Sequence, residues 1–161
     1  MLDNTTGTYN VAVGVKALYE LTTGSYNTAV GEQALENTTT ASYCTAVGRQ
    51  ALTSQTGTGQ NEAFGNRSGY GISTGSANVC IGNHAGYNIT TGSNNVSVGR
   101  YTIGDSDGTG TNCTADNNTV VGHYAGTQLT TGGSNTAIGA LAGDAITTGG
   151  SNTVVGSSAG G

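Results

Sequence analysis

The sequence predicts an all-β protein, a parallel β-solenoid (β-roll) of nine coils of about 17 residues each. The first observation behind this prediction is a glycine that recurs at a fixed period. It stands at Gly14, Gly31, Gly48, Gly65, Gly82, Gly99, Gly122, Gly139 and Gly156. The spacing is 17 residues at every step except that between Gly99 and Gly122, which is 23. A fixed period in this range indicates stacked copies of one small unit.

The second observation is that the positions before this motif glycine are nearly uniform. The valine column, immediately before it, contains Val13, Val30, Val47, Phe64, Ile81, Val98, Val121, Ile138 and Val155. The alanine column, two before it, contains Ala12, Ala29, Ala46, Ala63, Cys80, Ser97, Val120, Ala137 and Val154. The asparagine column, four before it, contains Asn10, Asn27, Cys44, Asn61, Asn78, Asn95, Asn118, Asn135 and Asn152. A second apolar column follows seven residues after the glycine and leads into Thr-Thr-Gly.

The third observation is the composition. The chain of 161 residues has 29 Gly, one Phe, no Trp and no Pro, so it lacks the large side chains of an ordinary globular core. A thin solenoid needs only a narrow apolar slot in each coil. Glycine at such short intervals argues against helices. Each unit is expected to hold two short strands and two turns, and residues 1–161 one repeat domain with an inserted loop at about 104–114.

The repeating strand is apolar on both faces. Adjacent strand positions point to opposite sides, so we expect the valine column, including Phe64, to line the interior and the alanine column to point outward. A strand that is apolar on both faces is usually covered on both. The alanine column is therefore expected to form the seam of a homotrimeric fibre, unless its members are merely small residues tolerated at a surface.

The asparagine and cysteine positions have structural interpretations. Stacking would turn Asn10, Asn27, Asn61, Asn78, Asn95, Asn118, Asn135 and Asn152 into a ladder of side-chain amides, with Cys44 replacing one rung. The three cysteines, Cys44, Cys80 and Cys113, fall in unrelated columns, and two of them lie about two coils apart. They are predicted to be small buried fillers rather than disulfide partners.

Charge and hydropathy exclude several classes of function. The net charge is −5, and the four basic residues form no stripe, which argues against binding to nucleic acid. No apolar run approaches the roughly 18 residues of a membrane span. The first four residues do not open a signal peptide, so we expect that the chain is exported by another route, is released by lysis as part of a virion, or is a fragment.

Two sets of residues are candidate ligand contacts. Tyr9, Tyr26 and Tyr43 occupy the same position in successive coils, where they could form a platform for sugar rings or pack against one another. In the insertion, Asp105 and Asp107 belong to an Asp-x-Asp-Gly that resembles part of a calcium loop. The closing acidic ligands are missing, so we predict an acidic contact loop and neither metal nor cofactor.

No catalytic residue is predicted, and the chain is not expected to be an enzyme. His84 and His123 lie in different coils without a carboxylate or nucleophile at a recurring spacing. Glu32 and Glu36 share the rim of one coil, but glycoside hydrolysis needs two carboxylates across a cleft. A cleft could arise only between subunits.

The repeat also resembles known families. The unit Asn-x-Ala-(Val/Ile)-Gly-x-x-Ala resembles the head repeats of trimeric autotransporter adhesins, which form trimeric left-handed parallel β-rolls. The longer unit Thr-Thr-Gly-Ser-x-Asn-Thr-Ala-Val-Gly-x-x-Ala-Leu is similar to repeats of bacteriophage tail fibres and related surface proteins. The resemblance covers the chain apart from the insertion, although the 17-residue period departs from the adhesin head.

The resemblance implies a structural or adhesive fibre segment that supports or performs attachment to a host-cell-surface glycan. The implied partners are further copies of the chain, other fibre or tail proteins, and a cell-surface polysaccharide. Two alternatives stay open. One is a tailspike-like polysaccharide depolymerase with a site between subunits, and the other is an ice-binding β-solenoid that uses its Thr-Thr ladder.

Overall fold

The computed structural model describes residues 3–104 and 112–161. These residues form a nine-stranded parallel sheet in which every strand pairs with the next one in sequence. The strands are β1 Val11–Val13, β2 Thr28–Val30, β3 Thr45–Val47, β4 Glu62–Phe64, β5 Val79–Ile81, β6 Val96–Val98, β7 Thr119–Val121, β8 Thr136–Ile138 and β9 Thr153–Val155. The predicted all-β parallel β-solenoid is confirmed. The described part of the chain contains no helix long and apolar enough to cross a membrane.

The register follows the sequence repeat. Ala12 pairs with Ala29, and Val13 with Val30, so like residues stand directly above one another. The six extra residues between Gly99 and Gly122 do not disturb this order, because Ser97 still pairs with Val120. The coils are therefore stacked continuously across the insertion.

Each described coil contains one strand of three residues rather than the two strands expected. The remainder of the coil turns through left-handed residues, which in the second coil are Tyr26 (φ 60°), Gln33 (φ 59°) and Leu35 (φ 51°). Left-handed residues bend the chain, so no second extended segment forms. Backbone hydrogen bonds still join the coils there, such as that from the Leu35 N–H to the Ala51 carbonyl at 3.0 Å.

The motif glycine recurs because a side chain does not fit there. Gly31 has φ 136°, and a Cβ atom placed on it would lie 2.5 Å from the carbonyl oxygen of Gly48 in the next coil. Both the backbone conformation and the close approach between coils thus require glycine. This contact explains why glycine recurs once in each coil.

The prediction of which strand face lines the interior is wrong, because the alanine column faces inward and the valine column faces outward. From Ala29 to Ala137 the alanine column is buried, whereas Val13, Phe64 and Val155 in the valine column are 55%, 42% and 66% exposed. Phe64 is therefore not a core residue. Larger side chains from the opposite wall of each coil fill the interior and leave room only for small residues on the strand. The largest fully buried apolar residues are Leu18, Leu21, Leu35, Leu52, Ile72, Ile89, Ile103 and Val120.

In one coil, a larger residue on the strand compensates for a glycine on the opposite wall. In the second coil, Leu35 is buried four residues after the motif glycine, and the strand of the same coil contributes the small, buried Ala29. In the seventh coil the corresponding residues are Gly126 and Val120, and a Cβ atom on Gly126 would lie 3.1 Å from Val120 Cγ1. The larger strand residue occupies the space that the glycine leaves.

Candidate functional site

The asparagine column is a buried ladder that joins the coils. The Asn78 backbone N–H donates to Asn61 Oδ1 at 2.9 Å. Asn78 Nδ2 donates to the same oxygen at 3.1 Å and to the carbonyl of Gly92 at 2.9 Å. The bond between side chains repeats at Asn95, Asn118, Asn135 and Asn152. These amides are engaged within the stack, so their role is to hold coils in register rather than to bind a ligand.

The cysteines are buried and carry free thiols, as expected for small core fillers. Burial raises the pKa of Cys44 to about 11, of Cys80 to about 12 and of Cys113 to about 11. A thiol that stays protonated is a poor nucleophile and a poor metal ligand. In the described residues, no three His, Cys, Asp or Glu side chains lie together as a metal site.

Tyr9, Tyr26 and Tyr43 form a stacked column on the surface. Their ring centroids are 4.9 Å and 5.1 Å apart, and the planes differ by 14° and 5°. The ring faces are therefore turned toward one another along the axis, and each of the three residues is at least 50% exposed. The outward parts of Tyr26 are its edge and hydroxyl group, which do not offer a flat platform to a sugar ring.

The other candidate contacts from the sequence, Asp105 and Asp107, lie outside the described residues. Glu32 and Glu36 do not face each other as a catalytic pair. Glu36 accepts from Lys16 Nζ at 2.9 Å, and Glu32 accepts from Arg49 Nε at 3.1 Å. Each carboxylate is instead the partner of a different cation.

A second aromatic array was not predicted from the sequence. We call it the corner ridge, and it consists of Tyr70, His84, Tyr87, Tyr101, His123 and Tyr124. Neighbouring rings have centroids 4.4 to 5.1 Å apart, without interruption from Tyr70 to His123. Its members fall one, two and five residues after successive motif glycines. These positions can be read from the repeat, but only the turn of the coil in the structure shows that they lie next to one another.

Two arginines lie against the corner ridge. The Arg67 guanidinium is 5.8 Å from the Tyr70 ring centroid, and that of Arg100 is 4.3 Å from the Tyr101 centroid. Arg100 also donates to the Tyr101 hydroxyl at 3.1 Å. Partial burial lowers the pKa of His84 below its ordinary value, and the charges of Arg67 and Arg100 lower it further. The imidazole is thus held neutral between two cations.

The basic residues are not equally neutralised. Lys16 and Arg49 each form an ion pair with a glutamate. Within residues 3–104 and 112–161, neither Arg67 nor Arg100 has a carboxylate at ion-pair distance, and Arg67 Nε donates to the neutral Gln50 side chain at 2.8 Å. Among the residues that the structure describes, the corner ridge is therefore a locally positive segment of an acidic protein.

The outer face of the sheet carries a strip of mostly apolar side chains with threonines among them. It comprises the valine column and the position two residues before it, which holds Val11, Thr28, Thr45, Glu62, Val79, Val96, Thr119, Thr136 and Thr153. We call these two columns the outer strip. Among its members Glu62 is the only charged residue, and partial burial raises the pKa of its carboxyl group. The strip is straight because the strands are in register.

The Thr-Thr pairs do not form a free hydroxyl array. Thr22 Oγ1 donates to the carbonyl of Thr39 at 2.9 Å, and Thr130 Oγ1 donates to that of Thr147 at 3.0 Å. The first threonine of these pairs therefore links one coil to the next, like the asparagine column. This use of the hydroxyl leaves it less available to an external ligand.

Comparison with protein-family models, with curated protein sequences and with solved structures gives no significant match.

Proposed function

We propose that this chain is a structural and adhesive fibre segment. Copies associate side by side through the outer strip into a homotrimer, and the resulting rod supports or performs attachment to a cell-surface glycan. Such a rod suits an extracellular filament of the bacteriophage tail-fibre or bacterial-adhesin type. The observation that carries the proposal is the mostly apolar outer strip along the whole sheet.

The size of the outer strip supports association. Nine strands of three residues make a surface roughly 43 Å long and 10 Å wide. The largest apolar patch on a soluble protein covers several hundred Å² and is often a functional surface. A rotation axis parallel to the rod would bring the same strip of every copy to the centre. The seam is thus assigned to the valine column instead of the alanine column.

The association is tested with charged substitutions on the outer strip. Val121→Lys and Ile138→Lys would each place an unpaired charge in the seam. Sedimentation should give a trimer for the parent protein and a monomer for both variants, and the circular dichroism spectrum should remain that of the parent. Ser134→Lys is the control, because Ser134 is exposed at a turn and lies outside the strip. A parent chain that stays monomeric at micromolar concentration would contradict the homotrimer.

Ice binding is the second candidate for the same surface. Thr28 and Thr45 in two successive strands, and Thr119, Thr136 and Thr153 in three, stand beside valine-column residues at the spacing of β-strands, with Glu62, Val79 and Val96 between the two groups. Ice could contact this array only if no second copy covered it. Inhibition of ice recrystallisation by a monomeric parent would favour this function, and a trimer without such inhibition would exclude it.

A further inference from the structure

We propose that the corner ridge, together with Arg67 and Arg100, binds an acidic polysaccharide chain that runs along the fibre axis. This inference rests on the attachment role in the proposed function and names its ligand class. The ridge follows the motif glycine, on the turn beyond the outer strip. Binding at the ridge and association through the strip can therefore be measured separately.

The shape of the ridge suits an extended ligand. It runs from Tyr70 in the fourth coil to Tyr124 in the seventh, about 14 Å along the axis. The rings contact one another through their faces or edges, as at Tyr70 and Tyr87, whose planes differ by 8°. His123 is exposed and the other residues of the ridge are partly exposed, so tyrosine hydroxyls and histidine nitrogens are present at the surface to hydrogen-bond to sugar oxygens.

The charge of the ridge suits a carboxylate. Arg67 is partly exposed and Arg100 is exposed, and neither is neutralised by an acidic side chain of the described residues. Arg100 is held by its stacking on Tyr101, so little side-chain freedom remains to be lost on binding. A guanidinium binds a carboxylate through two parallel hydrogen bonds, which is stronger than a contact between neutral groups.

The spacing of the charges favours a polysaccharide over a nucleic acid. Arg67 and Arg100 lie two coils apart, about 9.6 Å along the axis. A nucleic acid strand presents a phosphate about every 3.4 Å, so two separated arginines would match few of its charges. Carboxylates on alternate sugars of an extended chain present charges more sparsely and suit the two arginines.

Affinity electrophoresis and calorimetry with hyaluronate, which carries a carboxylate on every second sugar, test this inference. The parent protein should bind hyaluronate at about 20 mM salt, more weakly at about 200 mM salt, and should not bind neutral dextran. Arg67→Gln with Arg100→Gln should weaken binding about tenfold or more. Arg100→Gln alone should weaken it in part, and because Arg100 is exposed this variant should retain the fold. Arg49→Gln is the matched control, since Arg49 is already paired with Glu32, and it should bind as the parent does.

Several outcomes would overturn the inference. The first is that the parent protein does not bind hyaluronate. The second is that binding is unchanged when both arginines are replaced. The third is that the parent binds a single-stranded oligothymidylate as tightly as it binds hyaluronate. Loss of binding in Asp105→Asn with Asp107→Asn would assign it to the inserted loop instead. Sedimentation of the same samples separates the two proposals. A monomer whose binding of hyaluronate depends on Arg67 and Arg100 would support the ridge as the binding site and contradict the homotrimer. A trimer that binds no hyaluronate would support the homotrimer and contradict the binding site.

Discussion

Asn61 Nδ2 donates a hydrogen bond of 2.7 Å to Gln55 Oε1, and both residues are fully buried. In the next coil, Asn78 Nδ2 donates instead to the Oδ1 of the preceding asparagine. The residue that precedes Asn61 in the asparagine column is Cys44, which has no such oxygen. Cys44 and Gln55, two departures from the repeat within one coil, thus compensate for each other.

This relationship predicts coupling between substitutions. Gln55→Leu restores the usual apolar residue but leaves an Asn61 N–H without an acceptor, so it should lower the free energy of unfolding by about 1–3 kcal/mol. Cys44→Asn should recover much of that loss in the Gln55→Leu background, with a coupling of roughly 0.5–3 kcal/mol. Urea unfolding of the parent, both single variants and the double variant measures the coupling. Additive effects of the two substitutions would show that Gln55 does not replace the missing rung.

Thr38 lies in the second apolar column, and its buried Oγ1 has no hydrogen-bond partner. Thr38→Val keeps the shape and removes the unsatisfied hydroxyl, so we expect stability to rise by about 1 kcal/mol. Thr53→Val is the control, because the buried Thr53 Oγ1 donates to the Gln33 carbonyl at 3.1 Å, and this variant should be less stable. Thermal unfolding of the two variants should shift in opposite directions. A shift of both variants in the same direction would contradict the difference in hydrogen bonding between the two threonine hydroxyls.

The buried thiols predict a loss of stability at alkaline pH. Burial raises the pKa of Cys80 from 9.0 to about 12, so the folded state retains a proton that the unfolded state releases. The contribution of the buried thiol to the free energy of unfolding is complete below pH 9 and is lost progressively as the pH rises toward 12. Cys80→Ala places the commonest residue of the column there, and urea midpoints between about pH 8 and 11 should fall less steeply for this variant than for the parent. Equal slopes would show that the Cys80 thiol is not the titrating group.

Because the alanine column is buried and the valine column faces outward, charged substitutions at two adjacent strand residues should have different effects. Ala29 is fully buried in the coil, so Ala29→Arg should prevent folding by placing an unpaired charge in the core, at a cost of several kcal/mol. Val30 lies in the outer strip, so Val30→Arg should preserve the β-rich spectrum and disrupt only association. Circular dichroism and size-exclusion chromatography of both variants distinguish these effects. Normal folding of Ala29→Arg would invalidate the assignment of the interior.

The coil stack could be predicted from the sequence because the motif glycine marks the place where coils touch most closely. Which of two adjacent apolar columns faces inward could not be predicted, since both Ala29 and Val30 are compatible with burial. The space inside the coil decides which column faces inward. That space is limited by large buried residues such as Leu35 on the opposite wall. Tyr9, Tyr26 and Tyr43 share one column and could be grouped by spacing alone. His84 and Tyr87 belong to different columns, and only the left-handed turn at His84 brings their rings within 5.1 Å.

The unbroken register across the six extra residues has a practical consequence. Ser97 pairs with Val120 as though nothing had been inserted, so extra residues between Gly104 and Asn112 are accommodated without displacing a coil. The same position can serve as a graft point, where a foreign peptide would be displayed at a fixed height. In a symmetric fibre the graft would be presented by every copy at that height, which raises the avidity of even a weak epitope.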